Sequence, residues 1–127
     1  MDITKEELIK KAREAKLRSY SPYSSFCVGA ALLCDDGSVY IGTNVENISY
    51  GATCCAERTA FFSAIAGGNS RFLAIAITAD KTPCYPCGIC RQVMAEFCDK
   101  DFKIYLDDGN SFVEKSLGEL LPDSFDF

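Results

Sequence analysis

Two short stretches hold the residues of this chain best suited to chemistry. In Cys55-Ala56-Glu57 a thiol stands two positions before a carboxylate, and in Pro86-Cys87-Gly88-Ile89-Cys90 two thiols share C-x-x-C spacing. Thiolates are soft donors that suit Zn²⁺, and three protein ligands leave the fourth tetrahedral position free for water. Histidine is absent from the chain. Metal ligands must therefore come from Cys, Asp or Glu, and acid–base work falls first to a carboxylate. Cys55, Cys87 and Cys90 are the expected metal ligands. Glu57 follows Cys55 too closely to be an easy fourth ligand, yet it can face a metal-activated water and carry its proton.

Other readings of the same residues stand beside this one. A C-x-x-C can be a pair of buried helix cysteines, and Cys54 or Cys84 could complete a closed Cys₄ site that excludes water. Both are ranked as non-ligands, because Cys54 is one residue off the Cys55 direction and Cys84 precedes the Pro-Cys corner. Cys27, Cys34 and Cys98 read as inert free thiols. Glu57 could simply be a helix N-terminal carboxylate, a common placement worth roughly 0.3–1 kcal/mol.

Arg58 is expected to balance charge. Zinc with three thiolates carries a net charge of −1, and hydroxide makes it −2. A guanidinium about 4 Å away offsets roughly 4 kcal/mol at an effective dielectric of about 20, or some three pKa units as an upper figure.

The elements that must position these groups follow from pattern. Thr4-x-x-Glu7 is a capping box opening a helix to about Arg18. Phe26–Cys34 and Ser38–Thr43 read as a hairpin around Asp35-Asp36-Gly37, and Asn44–Thr53 as irregular. Cys55–Ala66 is a helix stopped by Gly67-Gly68-Asn69. Phe72–Thr78 is a buried strand, Ala79–Pro86 a loop and Cys87–Cys98 a third helix. Phe102–Leu106 and Ser111–Glu114 are strands, and Ser116-x-x-Glu119 caps a short helix stopped at Pro122. The order implies one domain, residues 1–127, built as a mixed five-stranded α/β sheet packed between helices in three layers. Phe26–Cys34, Phe72–Thr78 and Phe102–Leu106 are expected to have largely parallel neighbours. Both cysteine-bearing helix starts then fall at one end of the sheet, where open α/β sheets bind ligands. Positive helix N-termini there lower thiol pKa values.

Composition narrows the function classes. The chain has 127 residues, 48% hydrophobic, with formal net charge −5. That balance argues against a nucleic-acid partner, which calls for a basic stripe. The run Lys5, Lys10, Lys11, Arg13, Lys16, Arg18 is interspersed with Glu6, Glu7 and Glu14 and reads as a solvated helix face. Apolar stretches such as Val28–Cys34 are too short for a bilayer, so no membrane partner is expected. The start Met1–Glu7 has no apolar h-region. The cytoplasm is the default location, and eight cysteines without a signal peptide suggest ligation or catalysis rather than disulfides.

Beyond the Cys-x-Glu and Pro-Cys-x-x-Cys pattern itself, the chain resembles the small, homotetrameric, zinc-dependent cytidine deaminases over nearly its whole length. The resemblance is carried by Ser21–Leu32, Asn44-Val45-Glu46-Asn47, Cys55–Ala60, Pro86–Gln92 and Leu120–Phe125. It implies hydrolytic deamination of cytidine, with deoxycytidine as second substrate, in pyrimidine salvage. It also implies residue roles: Phe26 packs on the pyrimidine, and Asn44 and Glu46 bond the ribose hydroxyls. The backbone at Cys55 and Ala56 reads the base edge, and Phe125 (or Phe127) reaches a neighbouring subunit's site. Tyr85 departs from the smaller residues expected before Pro-Cys. A deaminase of blasticidin-type nucleoside antibiotics and a non-catalytic four-cysteine zinc module remain the alternatives. Asn44–Asn47 and Arg58 favour the plain nucleoside.

Overall fold

The computed structural model describes residues 3–127; Met1 and Asp2, the start of the expected signal-free N-terminus and of the 1–127 domain, lie outside them. The first helix, α1 (Lys5–Lys16), is opened by the expected capping box. Thr4 Oγ1 accepts from Glu7 N–H at 3.1 Å and Glu7 Oε1 accepts from Thr4 N–H at 3.1 Å. Then come β1 (Val28–Cys34), β2 (Val39–Thr43), a single 3₁₀ turn at Tyr50–Ala52, α2 (Ala56–Ala66), β3 (Phe72–Ala79) and α3 (Gly88–Phe97). The chain closes with β4 (Lys103–Asp107), β5 (Phe112–Ser116) and α4 (Leu117–Leu120). Expected and observed bounds differ mostly by a residue or two, as fraying ends do.

The five strands form one sheet in the order β2-β1-β3-β4-β5. Leu8, Ile9 and Ala12 of α1 pack on one face against Ala31, Ala74, Ala76 and Tyr105. On the other, Ala56, Ala60, Phe61 and Ala64 of α2 and Cys90 and Met94 of α3 cover Ala30, Leu32, Ile75, Ile77 and Ile104. The three-layer α/β/α arrangement is as expected.

Strand direction is not. Phe72–Thr78 was expected to lie parallel to Phe26–Cys34, but β1 is antiparallel to both β2 and β3, and only β3 and β4 pair in parallel. The reason is that the crossover through α2 starts from β2 rather than from β1. It makes β3 run the same way as β2, and β1 lies between them against both. The expectation for the helix starts survives: α2 follows β2 and α3 follows β3, so both begin at the same end.

Glycine sets how closely these helices approach. A Cβ on Gly42 would come within 2.2 Å of Ala56 O and 2.5 Å of Ala60 N, so a side chain in β2 would push the start of α2 off the sheet. The small stripe Ala56, Ala60, Ala64 completes that contact. Farther along, Phe61 of α2 and Phe97 of α3 stack at 6.3 Å, with Phe72 and Phe102 against Phe61 at 5.1 and 5.9 Å. The start of α2 is thus set against β2, and its middle is set against the end of α3.

Candidate metal centre and active site

Cys55 and Cys87 are the N-cap residues of α2 and α3, both in extended backbone, and Cys90 lies in the first turn of α3. Their side chains therefore converge where the helices begin. Cys55 Sγ lies 3.8 Å from Cys87 Sγ, Cys87 Sγ lies 3.5 Å from Cys90 Sγ, and all three sulfurs lie within 4.8 Å of one another. A tetrahedral zinc with Zn–S of about 2.3 Å requires sulfurs about 3.8 Å apart. The donor set fits that ion in both chemistry and spacing. Among the described residues, neither Cys54 nor Cys84 joins the group.

The three sulfurs share charge unequally. The contact with Cys90 first, then those with Arg58 and Cys87, draws the Cys55 thiol down to about 5 against its burial. The charge so placed on Cys55, together with burial, pushes Cys90 up. Arg58 lies against this sulfur: its Nη2 donates to Cys55 Sγ at 3.4 Å, and that contact raises its own pKa. Its buried Nε has no partner.

Glu57 is 5% exposed. No side chain donates to its carboxylate and no cation pairs with it among the described residues. Burial first, and the Cys55 thiolate next, push it up to about 7. A carboxyl group poised there can take and return a proton near neutrality.

Cys55, Ala56, Glu57 and Cys87 form one wall of a cavity of about 270 Å³; Phe26, Asn44, Glu46, Cys84 and Tyr85 are among the residues that line the rest. Ser25, at φ 58°, takes the left-handed conformation and turns the chain immediately before Phe26. Asn44 is held from several sides. Its Oδ1 accepts from Val28 N–H at 2.9 Å and from Ser19 Oγ, and its Nδ2 donates to Phe26 O at 2.7 Å. That leaves the second Nδ2 hydrogen for a guest. Glu46 is gripped by the N–H groups of Tyr23 (2.9 Å) and Ser24 (3.1 Å) and by Ser24 Oγ, which hold its carboxyl below the usual range. The N–H groups of Ala56, Glu57 and Arg58 open α2 without intrahelical acceptors.

Phe125 is not among the cavity residues of its own chain. It is 71% exposed, its carbonyl accepting from Gln92 Nε2 at 3.2 Å and its ring edge-on to Phe127. The sequence reading missed Ser24 and Ser19, which act through loop geometry that residue type alone does not announce. It also missed Cys84 as a lining residue. Tyr85, marked as unusual, does stand at the cavity.

Residues 2–106 match the family model described as the cytidine and deoxycytidylate deaminase zinc-binding region. A cytidine deaminase of Sporosarcina psychrophila is 47% identical over 98% of this chain and 92% of its own length. One of Halalkalibacterium halodurans is 52% identical over 95% and 93%. The solved cytidine deaminase of Burkholderia pseudomallei superposes with TM-score 0.93 at 46% identity, covering 97% of this chain and all of that one. With full-length likeness and a zinc-compatible trio at the matched positions, the chain belongs to the zinc-binding cytidine and deoxycytidylate deaminase family.

Proposed function

We propose that this protein hydrolyses cytidine and deoxycytidine to uridine or deoxyuridine and ammonia, with Cys55, Cys87 and Cys90 holding zinc and Glu57 moving the protons. The observation that carries this reading is one juxtaposition. Three sulfurs cluster at zinc spacing, and two of them, on Cys55 and Cys87, share a cavity wall with a buried carboxylate that has no side-chain donor. When bound, zinc supplies a Lewis acid that makes a water nucleophilic near neutral pH. Glu57 accepts a proton from the attacking water and delivers it to N3 of the base as C4 becomes tetrahedral. It then passes a proton to the exocyclic amine, which leaves as ammonia. The free N–H groups at the start of α2, Ala56 among them, read the base edge. Phe26 packs on the ring, and Asn44 and Glu46 bond the ribose. Arg58 draws off thiolate charge, so the metal stays electrophilic enough for its task.

The residues form one domain, 1–127, that assembles as a homotetramer in the cytoplasm and serves pyrimidine salvage. Ile48, Tyr50 and Phe125 are 80%, 76% and 71% exposed, and such apolar surface calls for cover. Phe125 of one chain closes the site of the next. No described helix is long and apolar enough to cross a membrane.

The test is ultraviolet-monitored turnover of cytidine before chelation, after chelation and after zinc is returned. Loss and recovery of turnover support the reading. Chelator-resistant turnover contradicts it, and turnover of blasticidin S but not cytidine would move the assignment to the antibiotic deaminases.

A further inference from the structure

The last residue of α4 and the chain after it are held by side chains that donate to their backbone carbonyls, and two of the donors are neighbours on the cysteine-bearing helix. Gln92 Nε2 donates to Phe125 O at 3.2 Å, and Lys100 Nζ donates to Pro122 O at 2.7 Å. Arg91 does more. Its backbone N–H bonds Cys87 O at 3.0 Å, and its guanidinium turns back beside the same corner. There Nε donates to Pro86 O at 2.7 Å, while Nη1 donates to Leu120 O at 2.6 Å. Pro86 O belongs to the peptide that enters Cys87. One rigid, planar fork thus ties the peptide before a cysteine of the trio to the start of the C-terminal segment. Both acceptors are neutral carbonyls, and none of the ion pairs among the described residues uses Arg91. A half-buried cation is therefore left without a carboxylate partner beside the Pro86-Cys87 corner.

We infer that Arg91 is a positioning residue that couples docking of the C-terminal segment to metal binding, through the bridge Pro86–Arg91–Leu120. The inference rests on Cys87 being a metal ligand. A bound metal would fix the Pro86-Cys87 corner, the corner fixes the guanidinium, and the guanidinium fixes the end of α4 from which the tail leaves. By linkage the effect is reciprocal: a docked tail must strengthen metal binding by the factor with which metal strengthens docking.

Two readouts besides turnover test it: zinc affinity from competition with a chelator, and the rate at which a protease trims residues beyond Pro122. In the intact protein, zinc removal should speed trimming. Arg91→Ala should weaken zinc binding by about tenfold or more, the scale of one charge-assisted hydrogen bond, and speed trimming even with zinc present. Arg91→Lys keeps the charge but cannot span both carbonyls, and should recover only part of the affinity. Gln92→Ala should speed trimming and, through the same linkage, weaken zinc binding by less than Arg91→Ala does, since it touches the tail but not the Pro86 carbonyl. Unchanged zinc affinity in Arg91→Ala overturns the inference, as does equal loss in Gln92→Ala. Should Arg91→Ala fail to fold, trimming of the parent protein decides alone, and a rate indifferent to zinc overturns the coupling. A parent protein that binds no zinc sinks the metal site itself, whereas zinc binding indifferent to Arg91 sinks the coupling alone.

Discussion

Glu57 and Asp107 are both buried carboxylates, 5% and 3% exposed, and the fold treats them in opposite ways. Asp107, the last residue of β4, accepts from Arg13 Nε and Nη2 at 2.7 Å each, from Thr78 Oγ1 at 2.7 Å and from Gly109 N–H at 2.9 Å. The Arg13 fork, above all, pulls it down to about 2. Glu57 has none of these partners and is pushed up to about 7, mainly by burial. A carboxylate whose lone pairs are all taken holds β4 against α1 and can do nothing else. One left without side-chain donors inside a cavity is costly to ionise and free to exchange a proton. The difference separates structure from chemistry more sharply than burial does.

The largest expected effect concerns what surrounds Glu57. Cys87→Ser should lose most of its zinc and, with it, turnover, while Cys54→Ser and Cys84→Ser keep both, as measured by metal analysis and cytidine kinetics. Zinc loss in Cys84→Ser would overturn the ligand assignment.

The second effect compares the carboxylates directly by urea melts of the metal-free protein. Raising a buried acid from 4.5 to about 7 makes ionisation cost about 3 kcal/mol. The unfolded chain releases that proton first, so stability falls as pH climbs from about 4.5 to about 7 and then levels off. Glu57→Gln should therefore be more stable than the parent above pH 7, by up to that amount, with the gap closing in acid. Asp107 has the opposite sign: its contribution is present above the unfolded value of 3.8 and is lost as pH falls through about 2. Asp107→Asn should cost roughly 1–3 kcal/mol at neutral pH, because Arg13 keeps an acceptor but loses its counter-ion, while turnover per folded molecule is retained. Equal signs for the two substitutions would erase the distinction.

Two smaller effects sharpen it. Arg58→Ala should move the basic-form requirement of the pH–rate profile upward, by at most about three units; an unshifted profile with normal rates makes Arg58 a bystander. Phe125→Ala should raise KM by about 1–3 kcal/mol in binding, the worth of an aromatic on a base. Removal of residues after Pro122 should do the same with the oligomer largely intact by sedimentation. An unchanged KM would mean that each site is complete within one chain.

Much of this was legible in the sequence, for reasons that are themselves physical. The Cys55–Glu57 and Cys87–Cys90 spacings are local, and helix N-caps convert local spacing into direction. The capping boxes at Thr4 and Ser116 were readable on the same ground. What depends on distant pairing was not. Arg13 read as one cation of a solvated face and Asp107 as a turn residue, yet they meet across 94 positions. The antiparallel β1–β3 pairing was missed because a periodic pattern does not say which strand the crossover leaves. Asn44 was expected at the ribose, but nothing in its residue type shows that backbone and serine already claim most of its bonding capacity.

The central claim is that Glu57 carries protons beside a metal it does not hold. Zinc content, cytidine affinity and turnover measured on one preparation of Glu57→Gln test it most directly. The account predicts about one zinc per chain and near-parent affinity, with turnover down by at least the roughly 10²–10⁴-fold of a lost general acid–base group. Parent-like turnover in a zinc-loaded Glu57→Gln protein would contradict it.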